Sequence, residues 1–323
     1  MKRALICGIG GQDGAYLARL LLGQGYHVLG TSRDAAAADL AKLDRLGIRA
    51  QVELRSMAPT DFRSVHAAIE WAQPDEIYAL AGQSSVGLSF EMPAETLESI
   101  VLGTLNLLEA VRLSARDARI YHASSSECFG DLGRRPARED TAFRPCSPYG
   151  VAKTSAHLLV ASYRQAYDLF AANGILFNHE SPLRPERFVT RKITAAVARI
   201  TAGSGERLRL GRLDIVRDWG WASEYVEAMW RILQADEPDD FIVATGQSHS
   251  LEAFTQCAFA AAGLDWRDHV DTDPALGRPA DLAWSGGLPE KASQVLGWQA
   301  QTWMAQVAAG MVNADRAGSG AVL

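Results

Sequence analysis

Tyr149 and Lys153 stand four residues apart, directly behind Ser147-Pro148. On a helix that spacing places both side chains on one face. A tyrosine of ordinary pKa near 10 becomes a base at neutral pH only if its phenolate is stabilised by about 4 kcal/mol. An adjacent ammonium supplies part of that, and a cationic ring bound alongside supplies more. Ser124, Ser125, Ser126 and Glu127 form a second cluster, three hydroxyls closed by a carboxylate. Oxidising an alcohol needs only a hydroxyl, a tyrosine and a lysine, here Ser125, Tyr149 and Lys153. The carboxylate of Glu127 adds a second base, which an elimination of water requires. Each group also has a plainer reading, as an amphipathic helix pair or a hydrogen-bonded loop, so position must decide between them.

The elements that would position these groups begin with Gly8-Ile9-Gly10-Gly11-Gln12-Asp13-Gly14, which follows an apolar run at 3–7 and opens a helical pattern. Gly8, Gly11 and Gly14 are spaced G-x-x-G-x-x-G. Without side chains the backbone can turn tightly, approach a pyrophosphate and pack helix on strand, while Gln12 and Asp13 lie at the helix N-terminus and its N–H donors. This predicts a dinucleotide site. A second strand runs into Gly30-Thr31-Ser32-Arg33-Asp34. Ser32 and Arg33 suit a ribose 2′-phosphate and favour NADP, whereas Asp34 suits a 2′-hydroxyl and keeps NAD as the alternative.

Strands are expected at 3–7, 27–30, 52–54, 76–80, 119–123 and 174–177, with helices after residue 14, at 65–71, at 97–113 and after Ser147-Pro148. Serine at the N-cap and proline at the first helical position form a start signal, because proline lacks only an N–H that would be unpaired there. The alternation predicts an α/β fold, a Rossmann-type doubly wound parallel sheet. Ser124–Glu127 then falls at a strand's carboxyl end, where open parallel sheets bind ligands. Beyond residue 180 the pattern loosens into segments rich in Arg, Glu and Trp. Residues 1–180 are therefore expected to form the cofactor-binding and catalytic domain. Residues 181–323 should form a smaller mixed α/β domain that grips substrate, with some elements exchanged between the two.

Composition is consistent with this. The chain has 323 residues, 48% hydrophobic and 22% charged, and a mean hydropathy of -0.06, the balance of a folded globular protein. No apolar run reaches the roughly 20 residues of a membrane span. Lys2 and Arg3 precede too short an apolar stretch for a secretory signal, so a cytoplasmic protein is expected. Cys7, Cys128, Cys146 and Cys257 show neither C-x-x-C pairing nor zinc-ligand spacing, so neither disulfides nor a metal site are expected. A net charge of -6 disfavours nucleic acid as a partner.

Taken together, the glycine turn, the serine-rich strand end and Tyr-x-x-x-Lys resemble the extended short-chain dehydrogenase/reductase family. Longer stretches resemble its GDP-mannose 4,6-dehydratase branch: Gly11-Gln12-Asp13-Gly14-Ala15-Tyr16-Leu17, Ser124 to Glu127, Ser147-Pro148-Tyr149-Gly150-Val151-Ala152-Lys153, Asn178-His179-Glu180-Ser181-Pro182, Phe188-Val189-Thr190-Arg191-Lys192 and Arg217-Asp218-Trp219-Gly220. The resemblance implies that a GDP-hexose loses hydride from C4 to the cofactor, loses water across C5 and C6, and regains hydride at C6. In it Tyr149 takes the C4 hydroxyl proton, Glu127 the C5 proton, and Ser125 hydrogen-bonds the sugar. It implies cofactor contacts at Leu80, Ala81, Gly82, Gln83, Ser84, Lys153, His179 and Arg184. Substrate contacts are implied at Ser84, Ser125, Ser126, Asn178, Val189, Lys192, Arg217, Arg278 and Asp281. It also implies a homodimer or homotetramer.

The sequence departs from the pattern in places. The family's paired arginines after the second strand fall on Asp34-Ala35, and its Gly-Asp pair after the third is replaced by Arg55-Ser56-Met57-Ala58. Ser125 replaces a threonine, and Asp281 stands where glutamate is usual. These leave open a related GDP-sugar such as a manno-heptose, and a net NADP-dependent nucleotide-sugar reductase or epimerase on the same fold.

Overall fold

The strands form because alternate residues are apolar on both faces. In β1 (Arg3–Cys7), Ala4 and Ile6 join one buried cluster while Leu5 and Cys7 join another. A strand apolar on both faces must be covered on both, the condition of a parallel sheet flanked by helices. The computed structural model describes residues 1–277 and 280–318. It shows β1 followed by β2 (His27–Ser32), β3 (Glu53–Ser56), β4 (Glu76–Ala79), β5 (Arg119–Ser125), β6 (Ala171–Leu176), β7 (Asn178–Glu180), β8 (Leu208–Leu210), β9 (Val216–Trp221), β10 (Asp240–Val243), β11 (Ser248–Ser250) and β12 (Val270–Thr272).

Seven strands make one sheet in the order β3-β2-β1-β4-β5-β6-β10, and every pairing in it is parallel. The order reverses beside β1, which opens a crevice at the carboxyl ends of β1 and β4. Helices Gln12–Gly23 and Ala222–Ile232 cover one face, while Phe62–Ala72, Gly103–Ser114 and Pro148–Tyr167 cover the other. A three-stranded sheet, β11-β9-β7, and a two-stranded one, β12-β8, follow. A separate core around Trp219, Phe254, Phe259 and Met311 packs helices Val189–Thr201, Leu251–Ala260 and Met304–Arg316 together.

The chain returns to the main sheet late, since β10 comes from residues 240–243 yet pairs with β6. The six strands expected from sequence all form, with β5 running on through Ser125. The helix expected at 97–113 instead begins as a π turn at Glu98–Leu102 before settling into Gly103–Ser114. Short helices at Ala41–Arg45, Val86–Glu91 and Pro93–Leu97 were not expected, because pieces of five or six residues carry little periodic signal.

Two glycines of the first turn are required sterically. Gly8 has φ +86, and a Cβ on Gly14 would lie 2.6 Å from the Gly8 carbonyl oxygen and 2.7 Å from Ile9 Cα. Those neighbours are backbone and cannot rotate away. Gly14→Ala is therefore expected to destabilise the fold by about 3 kcal/mol, read as a lowered urea midpoint. An unchanged midpoint would contradict this packing.

Candidate active site

Helix Pro148–Tyr167 is started as its sequence predicts: Ser147 accepts from the Gly150 N–H at 3.0 Å and Pro148 takes the first helical position. The helix lies along β5 and β6, so Tyr149 and Lys153 face the end of β5. Lys153 Nζ donates to the Ala123 carbonyl at 2.7 Å and lies 5.9 Å from the centre of the Tyr149 ring. Both residues are buried. Burial pushes the Tyr149 hydroxyl above its ordinary value, while the Ser125 hydroxyl beside it pulls it back. The same burial lowers Lys153 to about 8, opposed by Cys128 and Asp13.

β5 ends in Ser125, whose hydroxyl accepts the Glu127 N–H at 3.3 Å and caps the turn Ser126–Cys128. The cap turns Glu127 back toward the helix start, beside Gly150. Thirteen residues expected from sequence line one cleft: Asp13, Leu80, Ser84, Ser125, Ser126, Glu127, Tyr149, Lys153, Asn178, His179, Arg184, Val189 and Arg217.

The cleft is closed on one side by a bonded cluster that joins the glycine turn to the segment after β6. His179 Nε2 meets Asp13 Oδ2 at 3.0 Å, and its Nδ1 meets the Phe177 carbonyl at 2.8 Å. Gln12 donates to Asp13 at 2.9 Å and to the His179 carbonyl at 3.2 Å, and accepts from the Ser181 hydroxyl at 2.7 Å. The His179 ring stacks on Tyr225, 4.7 Å between centres. Burial alone would raise Asp13, yet the His179 charge and hydrogen bond bring it down to about 2. Burial likewise opposes charge on His179, and Asp13 overrides it, so His179 is raised.

Other expected residues lie around the cleft. Gly8, Gly11, Gln12 and Gly14 form the turn beneath it; a Cβ on Gly8 would come within 3.0 Å of Ala81, so the turn is seated against the end of β4. Gly82 has φ +143. Gln83 turns into its own loop, donating to the Ser85 carbonyl at 2.8 Å and to Thr96 at 3.2 Å. Ser32 ends β2, and Arg33 beyond it is 83% exposed, 3.9 Å from Glu95. Asp34, the competing acid, accepts from the Ala36 N–H at 2.9 Å and shapes its loop. Lys192 Nζ donates to the Arg209 carbonyl at 2.7 Å, outside the cleft lining. Asp281 acts one step back, bonding Arg217 at 3.0 Å, while Arg217 also donates to the Val216 and Leu282 carbonyls. Arg278 lies outside the described residues.

Sequence reasoning missed Glu180 and Thr190 as lining residues. They are bonded to each other at 2.7 Å, with Arg184 3.3 Å from the same Glu180 oxygen. Both stand inside the two motifs already singled out, which was the available signal. Ile215 and Trp219, flanking Arg217, also line the cleft. The lining combines Tyr149, Lys153 and three carboxylates with five serine and threonine residues and two arginines, a site able to move protons on a bound anionic ligand.

A family model described as GDP-mannose 4,6 dehydratase matches residues 5–311. The chain is 45% identical over 324 residues to GDP-mannose 4,6 dehydratase 2 of Arabidopsis thaliana, covering 97% of this chain and 87% of that one. It is 40% identical to GDP-mannose 4,6 dehydratase of Homo sapiens, covering 97% and 91%. A dTDP-glucose 4,6-dehydratase of Streptomyces venezuelae, solved with NAD and TYD bound, superposes with a TM-score of 0.88 at 20% identity over 98% of each chain. RMD from Pseudomonas aeruginosa, complexed with NADPH, gives 0.80 at 22% over 98% of this chain and 99% of that one. At those identities the solved structures share the fold.

Two predictions follow from the electrostatics. Folded Asp13 keeps its charge down to about 2 rather than 3.8, so its contribution is present above pH 4 and lost as pH falls toward 2; that of raised His179 is complete below about 6.5 and lost as pH climbs. Asp13→Asn should therefore cost roughly 3 kcal/mol near pH 5 and progressively less toward pH 2, in urea titrations across pH. A cost independent of pH would contradict the pairing. For Lys153 the unfolded chain holds the extra proton between about 8 and 10.5, so stability rises with pH over that window. The native chain should gain melting temperature relative to Lys153→Met between pH 8 and 10, and parallel curves would contradict a buried amine.

Proposed function

This chain belongs to the GDP-mannose 4,6-dehydratase family, and from that premise we propose that it converts GDP-mannose to GDP-4-keto-6-deoxymannose with loss of water. The observation that carries the reading is Glu127 in the same cleft as Tyr149, Lys153 and Ser125. A site built only to oxidise an alcohol has no use for the second base.

The residues present fit a nicotinamide dinucleotide. A Cβ on Gly8 or Gly14 would crowd neighbouring backbone, no side chain caps the first N–H groups of helix Gln12–Gly23, and β1 ends beside the crevice where strand order reverses. Gly8, Gly11, Gln12, Asp13 and Gly14 would hold the pyrophosphate, with Leu80, Ala81, Gly82, Gln83 and Ser84 alongside and Lys153, His179 and Arg184 toward the nicotinamide end. When bound, the cofactor supplies a hydride acceptor for C4 and a hydride donor for C6. Ser32 and exposed Arg33 favour NADP over NAD, because a guanidinium pairs well with a 2′-phosphate.

Within the cleft Ser125 positions the sugar and the Tyr149 oxygen takes the C4 hydroxyl proton. Lys153 supplies a positive charge against the phenolate. The C5 hydrogen, acidified by the adjacent ketone, passes as a proton to Glu127, which hands it to the departing C6 hydroxyl so that water leaves. Ser84, Ser126, Asn178, Val189, Lys192, Arg217 and Arg278 would hold the GDP-sugar, with Asp281 steadying Arg217. Residues 1–180 bind cofactor and carry the catalytic set, while 181–323 chiefly select the nucleotide sugar. The protein acts in the cytoplasm as a homodimer or homotetramer. Among the described residues no helix is long and apolar enough to cross a membrane.

GDP-mannose carrying deuterium at C4 should yield product with deuterium at C6, and Tyr149→Phe should lower turnover by at least about 100-fold. Label released to solvent, or net consumption of added reduced cofactor, would overturn the dehydratase reading. Arg33→Ala should raise the KM for NADP and leave that for NAD unchanged; equal changes would remove the basis for the NADP preference.

A further inference from the structure

Arg33 is the one cation between Ser32 and Ala41, and Ala35, Ala36, Ala37 and Ala38 bring no side-chain donor to the same loop. Its chain neighbour Asp34 is engaged locally. Oδ1 of Asp34 accepts the N–H groups of Ala36 at 2.9 Å and Ala37 at 3.3 Å. Ser56, at the end of β3, pins the loop by accepting the Ala35 N–H at 2.9 Å.

The carboxylate that meets Arg33 comes instead from far along the chain. Glu95 Oε1 lies 3.9 Å from Arg33 Nη1, and among the described residues no other carboxylate comes within 4 Å of that guanidinium. Glu95 stands in the first turn of helix Pro93–Leu97. The next residue fixes that helix, since buried Thr96 accepts from Gln83 at 3.2 Å and donates to the Met92 carbonyl at 2.8 Å. Gln83 belongs to the loop after β4. In the sheet β2 and β4 flank β1, so Arg33 and Glu95 reach toward each other across the strand that carries the glycine turn.

With side chains 83% and 50% exposed, the pair adds little to stability. Its effect falls on what Arg33 binds. A phosphate taken by this guanidinium carries about two negative charges and has the Glu95 carboxylate beside it. A ribose 2′-hydroxyl carries none. The carboxylate opposes the first and is indifferent to the second.

We propose that Glu95 is a specificity-determining residue of the cofactor site: it pairs with Arg33 and opposes a 2′-phosphate there, narrowing the preference for NADP over NAD that Arg33 confers. The proposal rests on the reading of Arg33 as the 2′-phosphate partner and is independent of the dehydratase reading.

Glu95→Gln tests it by calorimetric titration of the full chain, freed of nucleotide, with NADP and with NAD. At low ionic strength the Kd for NADP should fall about fivefold, the size of the repulsion between such charges about 6 Å apart in water. The Kd for NAD should change less than about twofold. In about 0.5 M salt, where the Debye length is down to about 4 Å, the gain should shrink below about twofold. Glu95→Lys should extend the gain for NADP to at least about tenfold. Tighter binding is a result that damage to the fold does not produce. Equal changes for the two cofactors, or a gain that persists at high salt, would overturn the proposal; Arg33→Ala weakening NADP alone would then show that the NADP reading survives. Arg33→Ala weakening both cofactors alike would overturn that reading and the proposal with it.

Discussion

The structure depends on one contact of long range, the Asp13–His179 pair with Gln12 and Ser181 closing it on either side. Its partners come from the turn after β1 and the segment after β6, and in the sheet β4 and β5 lie between those strands. The pair therefore spans the mouth of the crevice and holds the glycine turn at a set distance from the strand end that carries Ser125. Tyr225, stacked beneath His179 and packed against Trp298, anchors the pair to helix Ala222–Ile232, which in turn lies on helix Gln12–Gly23. The buried Asp13 carboxylate needs His179 beside it, and each favours the charged form of the other.

Burial is the common cause of the site's unusual electrostatics. Charges removed from water are held by partners or are given up. Asp13 keeps its charge through His179, whose own value it raises, whereas Lys153, bonded to a neutral carbonyl, is lowered to about 8. Tyr149 moves the other way, since its charged form is the anion. Arg217 and Arg184 are lining cations held by carboxylates, Asp281 behind the lining and buried Glu180 within it, which fixes their direction before any ligand is present.

How much of this could be read from the chain varies with the range of the interaction responsible. The turn at Gly8–Gly14, the cap at Ser147 and the pairing of Tyr149 with Lys153 depend on residues within a few positions of one another, and each formed where its spacing placed it. Even Glu127 was legible, since a single residue separates it from Ser125 and the strand end sets its place. Side chains whose surroundings come from elsewhere were less legible. Gln83 and Lys192 look equally available in the sequence, yet one folds into its own loop and the other reaches the Arg209 carbonyl. Asp281 gave no sign that it would steady Arg217 rather than line the cleft.

The sequence by itself determined the class of fold, the glycine turn and the grouping of Ser125, Glu127, Tyr149 and Lys153, because periodicity, glycine spacing and helix caps act over a turn or a strand and need no distant partner. Only the tertiary structure decided which of the remaining polar residues share an environment. It brought His157 of one helix against Asp240 of a strand 83 positions later, and returned β10 to the edge of a sheet otherwise built from the first 176 residues. Hydrogen-bond chains and pKa shifts arise from burial and from neighbours distant along the chain. Those come into being only when the sheet order is complete.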